Sequence, residues 1–278
     1  MNRYELKYLI PSSDVDRVRQ ELERVWGAIA GQRLSVAWAC VGGVVLAELL
    51  VTLTEPRLGM LAHCLLLLAL LFQSVRTARP AERTLLVALT LVPLIRVLSL
   101  ALPLAGLPLL YWYLITGVPL FVAVFVAGRA LGFSWPALGL NLRRWPLQLL
   151  VGLSGLAFGA AEYMILRPEP LAPALTWADV WWPALILLVM TGLLEELIFR
   201  GLLQRAARRA LGRGALAYVA LIFAALHIGY RSPLHLLFIL SVGVYLGWVV
   251  QRTGSLLGAV LAHGLTNVAL FLVIPFLL

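Results

Sequence analysis

Apolar runs of about twenty residues follow one another from about residue 35 to the end of this 278-residue chain. A run of that length crosses a bilayer core of about 30 Å as a helix. Composition agrees: 62% of residues are hydrophobic, 13% are charged and the mean hydropathy is +0.95, whereas a soluble domain is about 45–50% apolar and about 25% charged. The chain therefore reads as an all-α polytopic membrane bundle. Spans are expected near 35–53, 58–75, 84–102, 107–127, 146–166, 181–204, 214–230, 233–250 and 255–276. That makes about nine; a count of eight would move the C-terminus to the other side but leave the last four spans as they are.

The formal charge of +9 would suggest nucleic acid in a soluble protein. Here the distribution of basic residues explains it, and no nucleic-acid partner is expected. Links predicted on one side of the membrane hold Arg76, Arg79, Arg83, Arg129, Arg143, Arg144, Arg205, Arg208, Arg209, Arg213 and Arg252. Links predicted on the other side hold only Arg57, Arg167 and Arg231. Basic residues gather on the cytoplasmic face of a membrane, which orients the chain with its N-terminus in the cytoplasm and places it in the cytoplasmic (inner) membrane. The first thirty residues are too polar to contain the apolar core of a secretory signal. Cys40 and Cys64 lie in apolar runs without metal-ligand spacing and read as packing residues.

Three regions are expected. Residues 1–33 form a polar cytoplasmic segment: Arg3 to Ile10 alternate like a short strand, and Ser12-Ser13-Asp14 supplies cap chemistry for a helix. Val15, Val18, Leu22, Val25 and Ile29 then recur at spacings of three and four, the pattern of an amphipathic helix lying on the membrane. Arg3 to Tyr8 resemble the first strand of a polyphosphate-polymerase tunnel domain, but nothing after them supplies the rest of one. Residues 34–175 hold the first spans, rich in Leu and Val, and residues 176–278 hold nearly all the polar chemistry within the membrane.

That chemistry centres on Glu195-Glu196, inside an apolar run from about Trp181 to Gln204. A carboxylate at the middle of a spanning helix costs about 2.5–3.5 kcal/mol on insertion scales, so two in succession need a reason. Glu196 and Arg200, Phe223 and His227, and His263 and Asn267 are each four apart, and so share a helix face. Counted from the basic residues that mark the cytoplasmic ends of their helices, Glu195, His227 and His263 fall within about one helical turn of the same depth.

Glu195-Glu196-x-x-x-Arg200, Phe223-x-x-x-His227 and His263-x-x-x-Asn267, in that order on late spans, resemble the motifs of the CPBP family. That family comprises intramembrane glutamic endopeptidases and includes the CAAX prenyl proteases and the Abi bacteriocin self-immunity proteins. The resemblance covers roughly residues 180–270. It implies hydrolysis of a peptide bond in a membrane-associated or lipid-linked substrate, with membrane lipids as surroundings. Glu195 is implied as general base, His227 as a second partner of the attacking water, and His263 and Asn267 as oxyanion donors. Glu196, paired with Arg200, is implied to hold the helix and its charge in place, although the two glutamates could exchange roles, and Phe223 is implied in support.

Four other readings compete. Glu195, His227 and His263 would make a zinc ligand set. No His-Glu-x-x-His is present and Asn267 is a poor zinc ligand, so neither metal nor cofactor is expected. Gly152-Leu153-Ser154-Gly155 resembles the rhomboid serine motif, although small residues there also serve close helix packing. A buried polar cluster could instead bind a partner helix in a non-proteolytic scaffold or immunity protein. A transporter lacks support, because paired broken helices in two halves are missing. Glu48, His63, Arg96, His235 and Glu162 read as single hydrogen-bonded or snorkelling groups.

Overall fold

The computed structural model describes residues 12–278, with the side chains of 12–16, 18, 19 and 22–35 left aside. The strand expected at 3–10 lies outside the described residues, and so does the amphipathic face expected on residues 15–29. The described residues form helices and no strand. They fall into two compact units that divide between Cys40 and Val41, within the first helix, α1 (Ser12–Leu53).

The larger unit continues through α2 (Pro56–Arg76), α3 (Pro80–Leu89), α4 (Leu91–Ala101), α5 (Leu109–Ala130) and α6 (Trp145–Leu166). Prolines open α2, α3 and α6, where the missing N–H costs nothing. Next comes the helix that carries the paired glutamates, begun by Thr176, whose side chain accepts the Asp179 N–H at 3.3 Å. It runs as α7 (Trp177–Ile186), a π segment (Leu187–Leu193), α8 (Leu194–Glu196), a second π segment (Leu197–Leu203) and α9 (Gln204–Leu211). The chain ends with α10 (Ala215–Ala225), α11 (Pro233–Thr253) and α12 (Leu257–Val268), the last extended by a π segment, Ala269–Val273.

Among the described residues eight helical stretches are long and apolar enough to cross a membrane, and the chain is an integral membrane protein. One of them, Trp177–Ala225, has 49 residues. At 1.5 Å per residue it would reach roughly 73 Å, more than twice the hydrocarbon core. Gly212, at φ +59°, ends α9, and a 3₁₀ turn over Gly212–Gly214 leads into α10. The positive φ suits glycine and stops the helix. The difference between eight and nine spans thus rests on this one stretch, which holds two helices joined by a glycine turn.

The pattern of burial is inverted relative to a soluble protein. On α2, Leu61, Leu65, Leu68, Phe72 and Val75 are exposed, while Gly59, His63, Leu70 and Ser74 are buried. An apolar outer face with polar groups turned inward suits lipid as the surrounding medium.

Packing in the C-terminal region turns on close backbone approach. α12 lies against α6 on one side and against the first π segment on the other. A Cβ on Gly155 would strike the Ala262 backbone, and one on Gly192 would strike the backbone of Val260 and Gly264. Small residues let helices in lipid approach and gain dispersion energy where no hydrophobic drive separates protein from solvent. Gly155→Leu should overpack this seam at a cost of about 1–3 kcal/mol. It should lower the thermal unfolding midpoint in detergent, whereas Gly42→Ala, in open space, should leave it in place. Equal midpoints for the two proteins would contradict the packing.

Candidate active site

The glutamate helix presents two stripes, each built on steps of four residues. Thr191, Glu195 and Phe199 line a cavity of about 370 Å³. Glu196, Arg200 and Gln204, one position on, are buried away from it. An α-helix has 3.6 residues per turn, so a four-residue stripe winds gradually around it. The π segments on either side of Glu195-Glu196 have wider i→i+5 turns, which counter that drift and keep each stripe on one side.

The inner stripe is bonded within its own helix and to neighbouring helices. Oε1 of Glu196 accepts from Arg200 Nη1 at 2.7 Å and from His263 Nδ1 at 2.9 Å. Arg200 Nη2 reaches the Gly243 carbonyl at 3.4 Å and Gln204 Nε2 reaches that of Gly247 at 3.0 Å, tying the helix to α11. Oε2 of Glu196 is buried without a protein partner. The Arg200 guanidinium also lies 4.4 Å from the centroid of the Phe223 ring, a cation–π contact made stronger by exclusion of water. Phe223 in turn meets the rings of His227 at 5.0 Å and His263 at 5.9 Å. One phenylalanine thus separates and spaces a guanidinium and two imidazoles.

Of the residues singled out from the sequence, Glu195, Phe223, His227, His263 and Asn267 line the cavity together. Glu196 and Arg200 stand behind its wall. The Glu195 side chain is 30% exposed, the most open of the acidic pair, with its Oε2 3.9 Å from His263 Nε2. That separation is too long for a direct hydrogen bond.

Hydrogen bonding fixes the orientation of the polar groups. His227 Nδ1 lies 2.8 Å from the Phe223 carbonyl. A carbonyl only accepts, so Nδ1 carries the proton and Nε2 is left with a lone pair. Thr191 donates its hydroxyl proton to the Leu187 carbonyl. Its oxygen must then accept from Asn267, 2.8 Å away, which makes the facing atom the amide nitrogen. The second Asn267 N–H remains available. Thr191 was not predicted, although its place four residues before Glu195 put it on the same face.

Other polar residues at the cavity also stood as single groups in the sequence and prove to be paired across helices. Glu162 Oε1 lies 2.8 Å from His235 Nε2, and Arg96 Nε donates to Glu48 Oε1 at 2.6 Å. Arg96, Glu162, Tyr113 and Tyr230 all line the cavity. A lone charge in an apolar run implies a partner, but no spacing names a partner in a distant helix. Ser154 is elsewhere: it donates to the Val151 carbonyl at 2.6 Å and lies 3.5 Å from the Tyr245 hydroxyl. Among the described residues no three His, Cys, Asp or Glu side chains converge as a metal-ligand set.

Residues 176–269 match the family described as type II CAAX prenyl endopeptidase Rce1-like. The match supports the CPBP/CAAX protease family for this region. The match covers about a third of the chain, from the cap of α7 to the end of α12, and takes in the glutamate helix, the His227 turn and the His263 helix. No curated protein and no solved structure matches the chain. That family implies a protease that works in a membrane on membrane-embedded peptides or proteins.

Arg200→Met would strand the buried Glu196 carboxylate, a loss of about 3–5 kcal/mol by analogy with other broken buried pairs. Replacing both partners, Glu196→Gln with Arg200→Met, should recover part of that loss. Unfolding midpoints in detergent for the two single variants and the double variant would measure the coupling. Strictly additive losses would show that the two side chains do not act as a pair.

Proposed function

We propose that the protein is an intramembrane endopeptidase in which Glu195 activates the attacking water directly. The observation that carries this reading is the division of labour between the adjacent acids. Glu196 is bound to Arg200 and His263, while Glu195 faces the cavity that His227, His263 and Asn267 also line.

In this mechanism a water sits between the Glu195 carboxylate and the His227 Nε2 lone pair. Glu195 takes one proton as the water oxygen attacks the scissile carbonyl, and the carbonyl π electrons move onto its oxygen. The free Asn267 N–H meets that oxyanion together with the Nε2–H of His263 in its imidazolium form, whose Nδ1–H stays on Glu196, the role of a preorganised donor set. When the tetrahedral intermediate collapses, the C–N bond breaks and Glu195 returns its proton to the leaving amine. A new carboxylic acid and a free amine result, the acid passes its proton to that amine to leave a carboxylate and an ammonium, and Glu195 is again ionised. General-base assistance of this kind contributes about 100- to 10,000-fold in rate.

A cavity of about 370 Å³ lies at the small end of ligand sites, which suits a short stretch of extended peptide from a membrane-anchored or lipid-linked protein. The concentration of Arg205, Arg208, Arg209 and Arg213 after the glutamate helix supports a site entered from the cytoplasmic side, with the N-terminus also cytoplasmic.

Membrane proteomes of cells carrying wild-type or Glu195→Ala protein should differ in peptides that accumulate uncut in the variant, and these then serve as substrates for purified protein. On them Glu195→Gln should lower kcat by about 100- to 10,000-fold at an unchanged unfolding midpoint. Ser154→Ala should cleave like wild type. Retention of wild-type turnover by Glu195→Gln would point to a binding or scaffold role, and loss of turnover in Ser154→Ala would point to a serine mechanism.

A further inference from the structure

The N-terminal half of the chain lies outside the matched region, yet it holds a buried ionic cluster that reaches the proposed site. Glu48 on α1 and His63 on α2 are both fully buried. Arg96 on α4 donates from Nε to Glu48 Oε1 at 2.6 Å. His63 Nε2 lies 3.1 Å from the same oxygen, close enough for attraction but not aligned as a hydrogen bond. Three ionisable groups from three spanning helices carry a large desolvation penalty. A staple between α1 and α4 would need only the Glu48–Arg96 pair. Arg96 does more: its Nη2 donates to the Leu226 carbonyl, immediately before His227.

Leu226 is the C-terminal cap residue of α10, which ends at Ala225. The last carbonyls of a helix have no partner within it, and a cation there also complements the negative end of the helix dipole. Beyond the cap the chain passes through His227 into a 3₁₀ turn, Ile228–Tyr230, and Arg231 then donates back to the Thr52 carbonyl at the end of α1. The short turn that carries His227 is therefore gripped at both ends by arginine–carbonyl bonds to the N-terminal helices. On its other side, the rings of His227 and Tyr230 rest on His235, with centroids 5.9 and 4.6 Å away.

We propose that Arg96, oriented by Glu48, is a positioning residue that fixes the imidazole of His227 through the Leu226 carbonyl. The N-terminal helices would thereby act as a brace for the hydrolytic centre in addition to anchoring it. The brace acts at a distance from the chemistry: Arg96 holds a backbone carbonyl, that carbonyl holds the turn, and the turn aims Nε2. In its catalytic consequence the proposal rests on the role given to His227 above. Its structural core does not, because the state of the ring can be read without substrate.

The chain contains four histidines, so imidazole ¹⁵N spectra of histidine-labelled protein in detergent can be assigned with single His→Gln variants. Wild type should give a His227 signal of one tautomer, protonated at Nδ1. Arg96→Met should shift or broaden that signal into several states while the His263 signal, on the Glu196 side, stays in place. Glu48→Gln, which is nearly isosteric, should do the same to a lesser degree, and Arg96→Lys, which keeps one donor, should restore a single state in part. If Arg96→Met does not fold, Glu48→Gln carries the test alone. On a substrate found as above, Arg96→Met should lower kcat by about 10- to 100-fold, the usual scale for misplacement of a reacting group by about an ångström, with KM little changed. An unchanged His227 signal in folded Arg96→Met or Glu48→Gln protein would overturn the proposal. So would equal disturbance of all four rings, because that marks a general loss of structure. A moved His227 signal with undiminished cleavage would preserve the brace and instead refute the part assigned to His227 in hydrolysis.

Discussion

The arrangement of the C-terminal helices depends on one carboxylate oxygen in a medium without water. Oε1 of Glu196 receives both Arg200 and His263, and through them the glutamate helix is bonded to itself and to α12. In a bilayer a charge of this kind must be met by protein or neutralised. Meeting it fixes where the partner helix lies and how its histidine is turned. The glycines between α6, α12 and the glutamate helix make that approach possible, because side chains at Gly155 or Gly192 would hold the backbones apart. Packing and electrostatics therefore support each other here: the seam brings His263 within reach, and the ion pair gives the seam a register.

From that register the two glutamates acquire different surroundings despite being adjacent. A shift of one residue along a helix turns a side chain by about 100°, enough to move from a lined cavity to a packed interface. The π segments on both sides keep those two environments separate for the length of the site. Wide helical turns of this sort often sit at functional positions, and here their effect is geometric: Thr191, Glu195 and Phe199 remain in line on the cavity wall. Asn267 is then oriented by Thr191, and His227 by the carbonyl one turn before it.

What could be read from the sequence divides by range. The apolar runs and their length made a helical membrane bundle readable, and steps of four residues put Glu196 with Arg200 and His263 with Asn267 on common faces. Depth counting brought Glu195, His227 and His263 to one level, and they do line one cavity. The pairing of Glu196 with Arg200 was readable from their spacing, but an exchange of roles between the two glutamates stayed open, because their surroundings depend on where α12 packs and on the π turns, which no local propensity announces. Arg96 and Glu48 are 48 residues apart, and Glu162 and His235 are 73 apart. Each looked solitary because its partner is chosen by tertiary packing. The Gly-x-Ser-Gly run read as packing in preference to chemistry, and the Gly155 contact with Ala262 accounts for its last glycine in that way.

The most direct test of the central claim is an experimental density map in a lipid environment, at a resolution that shows ordered water. The expected result is a water within about 3 Å, hydrogen-bonding distance, of both the Glu195 carboxylate and His227 Nε2, with Glu196 still enclosed by Arg200 and His263. A map in which Glu196 turns to the cavity and holds that water, or in which Glu195 packs away from both imidazoles, would contradict it.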